Sequence, residues 1–178
     1  MKELLLMMMC MVGMPLLHAQ EKKVLVAYFS CTGHTETVAK ALAQATHGTL
    51  YIIQPKQAYT AADLDWNNNR SRSSREMNDD NARPALADKA AKADTYDVIF
   101  LGFPIWWDLP PRIINSFVEA YQLKGKTVIP FATSGGSSIS NSVNSLKEKY
   151  PAIHWQNGQL LNGGASQASR WGKTALSR

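Results

Sequence analysis

The stretch Val24-Leu-Val-Ala-Tyr-Phe-Ser-Cys-Thr-Gly-His-Thr35 constrains the fold of this chain more than any other. It begins with apolar, strand-forming residues up to Phe29 and then runs into a small, polar turn. From Glu36 to Thr46 the pattern becomes helical, with Val38, Leu42 and Ala45 on one face. A strand that ends in a Ser/Thr/Gly turn at a helix start is built to hold a phosphate. The helix start carries N–H groups without intrahelical partners and a partial positive charge. Ser30, Thr32 and Thr35 add hydroxyls, and Gly33 lets the backbone approach a ligand closely. His34 offers its backbone N–H or its imidazole. The turn holds no Lys or Arg, so dipoles and hydroxyls alone would meet the charge.

The continuous apolar run Val24–Phe29 predicts a strand buried on both faces, as in a parallel sheet. Further strands are predicted at Thr49–Gln54, Asp97–Phe103 and Thr127–Ala132. A weaker fifth lies within Ile153–Leu161, interrupted by Asn157-Gly158. Helical spacing marks Arg112–Tyr121, Ile139–Tyr150 and Ser166–Leu176, and Pro84 is expected to open a short Ala-rich helix ending near Ala93. Tyr59–Arg83 has no sustained period and reads as a long polar loop. Trp66, Trp155 and Trp171 are assigned to the core. The alternation of strands and helices implies an α/β fold, a parallel sheet covered by helices on both faces, and the 178 residues fit one domain. Such sheets bind ligands beyond the C-terminal ends of their strands.

Residues 1–19 read as an export leader. Lys2 precedes an almost uncharged apolar run from Leu4 to Leu17, too short for a comfortable bilayer span, and Ala19 fits the last position before cleavage. The domain would then be residues 20–178, with no membrane span, in the periplasm. An uncleaved anchor is the alternative, and a non-functional leader would leave the chain cytoplasmic. The leader lacks a twin arginine, which implies export of the unfolded chain. Lys2 and Glu3 cancel, so the formal net charge of +5 belongs to the domain. The basic residues are scattered apart from Arg70, Arg72 and Arg75, which argues against nucleic acid and admits an acidic partner. That arginine group either meets such a partner or forms local ion pairs. Removal of Cys10 with the leader leaves Cys31 without an internal disulfide partner. Its place near a helix start predicts a lowered thiol pKa, and its side chain is expected to point away from the ligand.

Three loops at strand ends carry unusual chemistry: Ser30–Thr35, Pro104–Pro111 and Thr133–Ser138. Neither a Gly-x-x-x-x-Gly-Lys loop nor a Gly-x-Gly-x-x-Gly turn is present. A low-molecular-weight phosphatase would need Arg where Thr37 stands, and a receiver domain would need Asp where Phe103-Pro104 stand. The second loop sets Trp106 beside Trp107. Either both indoles pack on the core, or one stacks on a flat ligand, which contributes about 0.5–1.5 kcal/mol beyond burial. The glycine-rich third loop could read the edge of a heterocycle with its backbone. A phosphate nest, an aromatic platform and a backbone clamp suit flavin mononucleotide, FMN.

Ser30-x-Thr-Gly-x-Thr35 after the first strand, together with Phe103-Pro-Ile-Trp-Trp107 after the third, resembles flavodoxin, within the subgroup that carries a Pro-Ile-Trp-Trp loop. The likeness runs from about Lys23 to Trp171 and includes Asp63-Leu-Asp-Trp66, Ser71-Arg-Ser73 and Leu161-Asn-Gly163. It implies a single-domain three-layer sandwich, with a five-stranded sheet of order 2-1-3-4-5, and bound FMN. Ser30, Thr32, Gly33, His34 and Thr35 would hold the phosphate. Pro104, Ile105, Trp106 and Trp107 would flank the ring on one side, and Thr133, Ser134, Gly135 and Gly136 on the other. The resemblance further implies an electron carrier serving a redox partner or small acceptor. Relatives of this fold act instead as NAD(P)H oxidoreductases on quinones or similar acceptors. Two features depart from flavodoxins: the basic charge, which predicts a less negative potential for the fully reduced flavin, and Asp108 where a small residue such as Gly is expected.

Overall fold

A computed structural model describes residues 22–88, 91–121 and 123–177; the predicted leader, with Cys10, lies outside the described residues. The chain opens with β1 (Val24–Tyr28), α1 (His34–Thr46) and β2 (Thr49–Ile52), followed after a long connection by α2 (Arg72–Asn78). Next come β3 (Val98–Pro104), α3 (Arg112–Ala120), β4 (Thr127–Thr133) and α4 (Ser140–Lys149). Two short strands, β5 (His154–Trp155) and β6 (Gln159–Leu160), precede α5 (Gly164–Leu176).

All strand pairs are parallel, in the order β2-β1-β3-β4-β5, with β6 also pairing β4. The weak fifth strand is therefore one strand broken in two around Asn157-Gly158. A Cβ on Gly158 would lie 2.8 Å from Ile139 and 2.9 Å from Val143, so the break brings the backbone against α4.

The strand alternation explains the uninterrupted apolar runs. Leu25, Ala27 and Phe29 share one core with Ile99, Leu101, Phe103 and α3 residues Ile113, Ile114 and Phe117. Val24, Val26 and Tyr28 share the other with Phe100, Phe131 and Val38 and Leu42 of α1. Both faces of β1 are thus buried, as a central parallel strand requires. Trp171 of α5 packs edge-on against Phe100 in this second layer.

Three expectations fail between β2 and β3, the first being that Tyr59–Arg83 is all loop. It contains α2, capped by Ser71, whose Oγ accepts from the Ser74 N–H. The second, an Ala-rich helix from Pro84, is absent over residues 84–88. The chain instead runs extended beside residues 54–56, with Lys56 N–H donating to Ala85 O and Ala87 N–H to Gln54 O. The third concerns Trp66, which is not in the core but 70% exposed.

Candidate functional site

The strands deliver their loops to one edge of the sheet. At the first, Gly33 caps α1 with φ +84°, in the left-handed region, where a Cβ would meet nothing within 4 Å. Its N–H donates to Ser30 Oγ at 3.1 Å, and its carbonyl accepts from Thr37 N at 3.0 Å and Thr37 Oγ1 at 3.0 Å. This folds the turn under the helix start, where the N–H groups of His34, Thr35 and Glu36 lack intrahelical partners. Thr32 Oγ1 and His34 Nδ1 stand 3.0 Å apart, so the imidazole is tied within the turn. Thr35 is buried, its Oγ1 2.8 Å from Thr133 Oγ1, which fastens the first loop to the third.

The second loop leaves β3 with Ile105 N–H donating to Thr133 O at 2.9 Å. Trp106 and Leu109 exchange both backbone hydrogen bonds, at 2.9 and 3.0 Å, around Trp107 (φ +46°) and Asp108 (φ +64°). This is a two-residue turn with left-handed backbone at both central positions, a conformation that favours a small residue such as Gly at 108. Two non-glycine residues held there store strain of about 1–3 kcal/mol each. Ser142 Oγ on α4 donates to Asp108 O at 2.9 Å and braces the turn, while Asp108 itself is exposed. The two indoles separate. Trp106 is half-buried, edge-on to Tyr59 at 5.4 Å and Phe29 at 5.8 Å. Trp107 is 48% exposed.

Asn162 sets the third loop: its amide nitrogen donates to Ser134 O at 2.7 Å, and its Oδ1 accepts from Ser134 N at 3.0 Å. Ser134 Oγ in turn accepts from the N–H groups of Gly136 and Ser137. A Cβ on Gly135 or Gly136 would meet nothing within 4 Å, so both face open space.

These loops enclose two adjoining cavities, of about 590 and 630 Å³, which share Thr32, Pro104, Ile105, Trp106, Ser134 and Gly135. The first extends to His34, Thr133 and Asn162 near the starts of α1 and α5. The second extends to Ser30, Trp107 and Gly136. Gly33 and Thr35 line neither and act from beneath, as cap and as tie. No Lys or Arg is among the described residues lining either cavity. The donor set is the neutral one anticipated for a phosphate ester, and it fits: an open left-handed glycine, a helix start and hydroxyls beside an aromatic cleft.

The anticipated site residues leave out Leu64, Trp66 and Ser73 on the far wall of the second cavity, and Thr37, Val38, Leu161, Asn162 and Gly164 around the first. A signal for one existed. Trp66 sits among Asp65, Asn67, Asn68 and Asn69, with no apolar stripe to carry it inward. Cys31 also lines this cavity. Desolvation by the surrounding protein raises its thiol to about 11, against a lowering by Arg72, so the expected acidification is reversed. Of the arginines, Arg72 forms the ion pair: its Nε lies 2.7 Å from Glu76 Oε1, and its guanidinium stacks 3.9 Å over the Tyr59 ring. Tyr59 donates to Glu76, and burial with this bond raises its phenol pKa. Tyr59 thus backs Trp106 from behind the cleft. Arg70 and Arg75 are exposed.

A parallel sheet of this order, with a nucleotide-sized cleft at the C-terminal strand ends, defines a doubly wound α/β protein. The flavodoxin family profile matches residues 23–174, and the chain belongs to that family. A crystal structure of a candidate flavoprotein from Bacteroides eggerthii is 57% identical, with 88% of this chain and 99% of that one covered and a TM-score of 0.83. A candidate flavoprotein from Bacteroides uniformis is 55% identical over 86% of this chain and 99% of that one, with a TM-score of 0.83. The Lactobacillus acidophilus flavoprotein, crystallised in complex with FMN, is 22% identical over 84% and 98%, with a TM-score of 0.62, and shares the fold. The search of curated proteins found no match. Among the described residues, no helix is long and apolar enough to cross a membrane.

Proposed function

We propose that this protein binds FMN and transfers electrons between redox partners outside the cytoplasm, residues 1–19 being removed on export. The observation that carries the flavin reading is the Gly33 turn. It is folded in advance under the start of α1, and it is fastened through Thr35 and Thr133 to the loop that walls the same cleft. Ser30, Thr32 and the backbone of His34 and Thr35 would hold the phosphate. Pro104–Trp107 and Thr133–Gly136 would flank the ring, with the Asn162 amide keeping the third loop in place. FMN supplies the redox chemistry when bound. The chain supplies the orientation, a partly apolar wall that excludes water, and backbone groups at the ring's polar edge. A structure of a relative in complex with FMN supports the choice of cofactor. Unfolded export would have the flavin acquired outside the cytoplasm.

Reconstitution followed by stepwise reduction tests this. FMN should bind one to one and take up electrons reversibly. Its final reduction should fall at a less negative potential than in acidic flavodoxins, because the net charge of +5 favours an anionic reduced ring. A protein that leaves added FMN fluorescence unquenched would contradict the reading. Cell fractionation with the mass of the mature N-terminus tests export; an intact Met1 in the cytoplasm would contradict it.

A further inference from the structure

The chain holds two Asn-Gly pairs, Asn157-Gly158 and Asn162-Gly163. Asparagine is thermally labile, and most so before glycine, whose nitrogen carries no side chain on its own Cα to hinder attack on the asparagine Cγ. The two pairs are held differently. Asn157 is exposed, and its side chain makes no hydrogen bond among the described residues. Asn162 is also exposed, but its amide is engaged at both atoms by the Ser134 backbone. The next N–H, that of Gly163, donates to Gln167 Oε1 at 2.7 Å, and Gln167 Nε2 donates to Leu160 O at 3.2 Å. A Cβ on Gly163 would lie 2.8 Å from Gln167 Oε1, so this bond leaves no room for a side chain at 163. The glycine that the Gln167 contact requires is the same one that makes the preceding amide labile. Attack needs the Gly163 nitrogen free of its proton. The bond to Gln167 keeps that proton in place, while the bonds to Ser134 fix the amide on the third loop.

We propose that Asn162 is a deamidation site, restrained by Gln167, and that its conversion to aspartate disables the cleft for a phosphorylated flavin. In the reaction the bond from Gly163 N to Asn162 Cγ forms, the Cγ–Nδ2 bond breaks, and the Gly163 proton leaves with the amide group as ammonia. Water then adds across one C–N bond of the cyclic imide, giving a carboxylate and restoring an N–H. The product loses the donor to Ser134 O and gains a negative charge. Asn162 lines the first cavity with His34 and Thr133, and no Lys or Arg among the described residues lines that cavity to offset the charge. A carboxylate there repels a phosphate. This consequence rests on the FMN reading, whereas the hydrolysis does not.

The test is peptide mapping by mass spectrometry after incubation of the flavin-free protein in mildly alkaline buffer, with Asn157 as the internal reference. Asn157 should convert faster than Asn162. Gln167→Ala should speed conversion at Asn162 about tenfold, the factor that one ordinary hydrogen bond makes, and leave Asn157 unchanged. Gln167→Glu keeps an acceptor for the Gly163 N–H and should stay as slow as the unsubstituted chain. Saturating FMN should slow Asn162 and not Asn157. In a separate titration Asn162→Asp should bind FMN at least about tenfold more weakly, with a smaller loss for riboflavin, which has no phosphate. An Asn162 rate unchanged by Gln167→Ala, an Asn157 rate that rises equally with it, or an Asn162→Asp variant that keeps the full preference for FMN over riboflavin would each overturn this inference. Failure of the unsubstituted protein to take up FMN would overturn the flavin reading and with it the consequence for phosphate, while the Gln167 effect would still decide the modification site.

Discussion

Cys31 sits where a helix field ordinarily acidifies a thiol. Desolvation wins here, raising the thiol to about 11, with the Arg72 charge opposing and Glu76 reinforcing. Since the thiolate is the nucleophile, iodoacetamide should react slowly at neutral pH, and the rate should keep climbing above pH 10. A plateau near pH 9, as for an ordinary thiol, would contradict this. Sequence position alone points to the wrong sign because the deciding cause, desolvation, depends on how the folded chain packs around the thiol. Trp66 misleads in the opposite way. Large aromatic residues are usually buried, but this one is flanked by Asp65 and the Asn67–Asn69 run, and the fold leaves it exposed.

The strand β3 carries the clearest test at the level of elements. Gly102 pairs with Phe131 across β3 and β4, and a Cβ on it would fall 2.1 Å from the Phe131 ring. Gly102→Ala should therefore destabilise the fold by about 1–3 kcal/mol through overpacking. Phe131→Leu, in the same chain, should recover part of the loss in denaturant unfolding. A neutral single variant, or a double variant whose losses simply add, would contradict this contact. The central strands and α1, α3, α4 and α5 were readable because each buries a continuous or periodic apolar surface. The helix α2 was not. Its one buried apolar residue is Met77, and it is held by a Ser71 cap, the Arg72–Glu76 pair and the bond from Arg112 Nη2 to Met77 O. Pro84 carried a helix-start signal that tertiary pairing with residues 54–56 overrode.

Across the whole molecule, three distant segments meet at Glu119. Its carboxylate accepts from Arg83 Nε at 2.8 Å and from Tyr150 Oη at 2.7 Å, and Asn115 Nδ2 donates to Tyr150 Oη at 2.9 Å. The Arg83 bond above all holds the Glu119 pKa below the ordinary carboxylate value. A depressed acid contributes stability above its unfolded pKa and loses it as pH falls through its folded one. Arg83→Ala should thus lower Tm at pH 7, with a cost below about 1 kcal/mol because the pair is solvent-screened, and should have little effect once Glu119 is protonated. An equal loss at both pH values would contradict the linkage.

The same scale holds the cleft, since Gly33, Thr35, Thr133 and Asn162 come from opposite ends of the chain and meet only through the 2-1-3-4-5 strand order. The three loops were legible as chemistry, and the far wall was not, because its residues share no period and are gathered by α2 and its turn. The phosphate nest is tested most directly by titrating FMN and riboflavin separately into the flavin-free protein. Charge-assisted bonds from the α1 start should make FMN bind about a hundredfold more tightly than riboflavin, which lacks the phosphate. Equal affinities would show that the Ser30–Thr35 turn holds no phosphate.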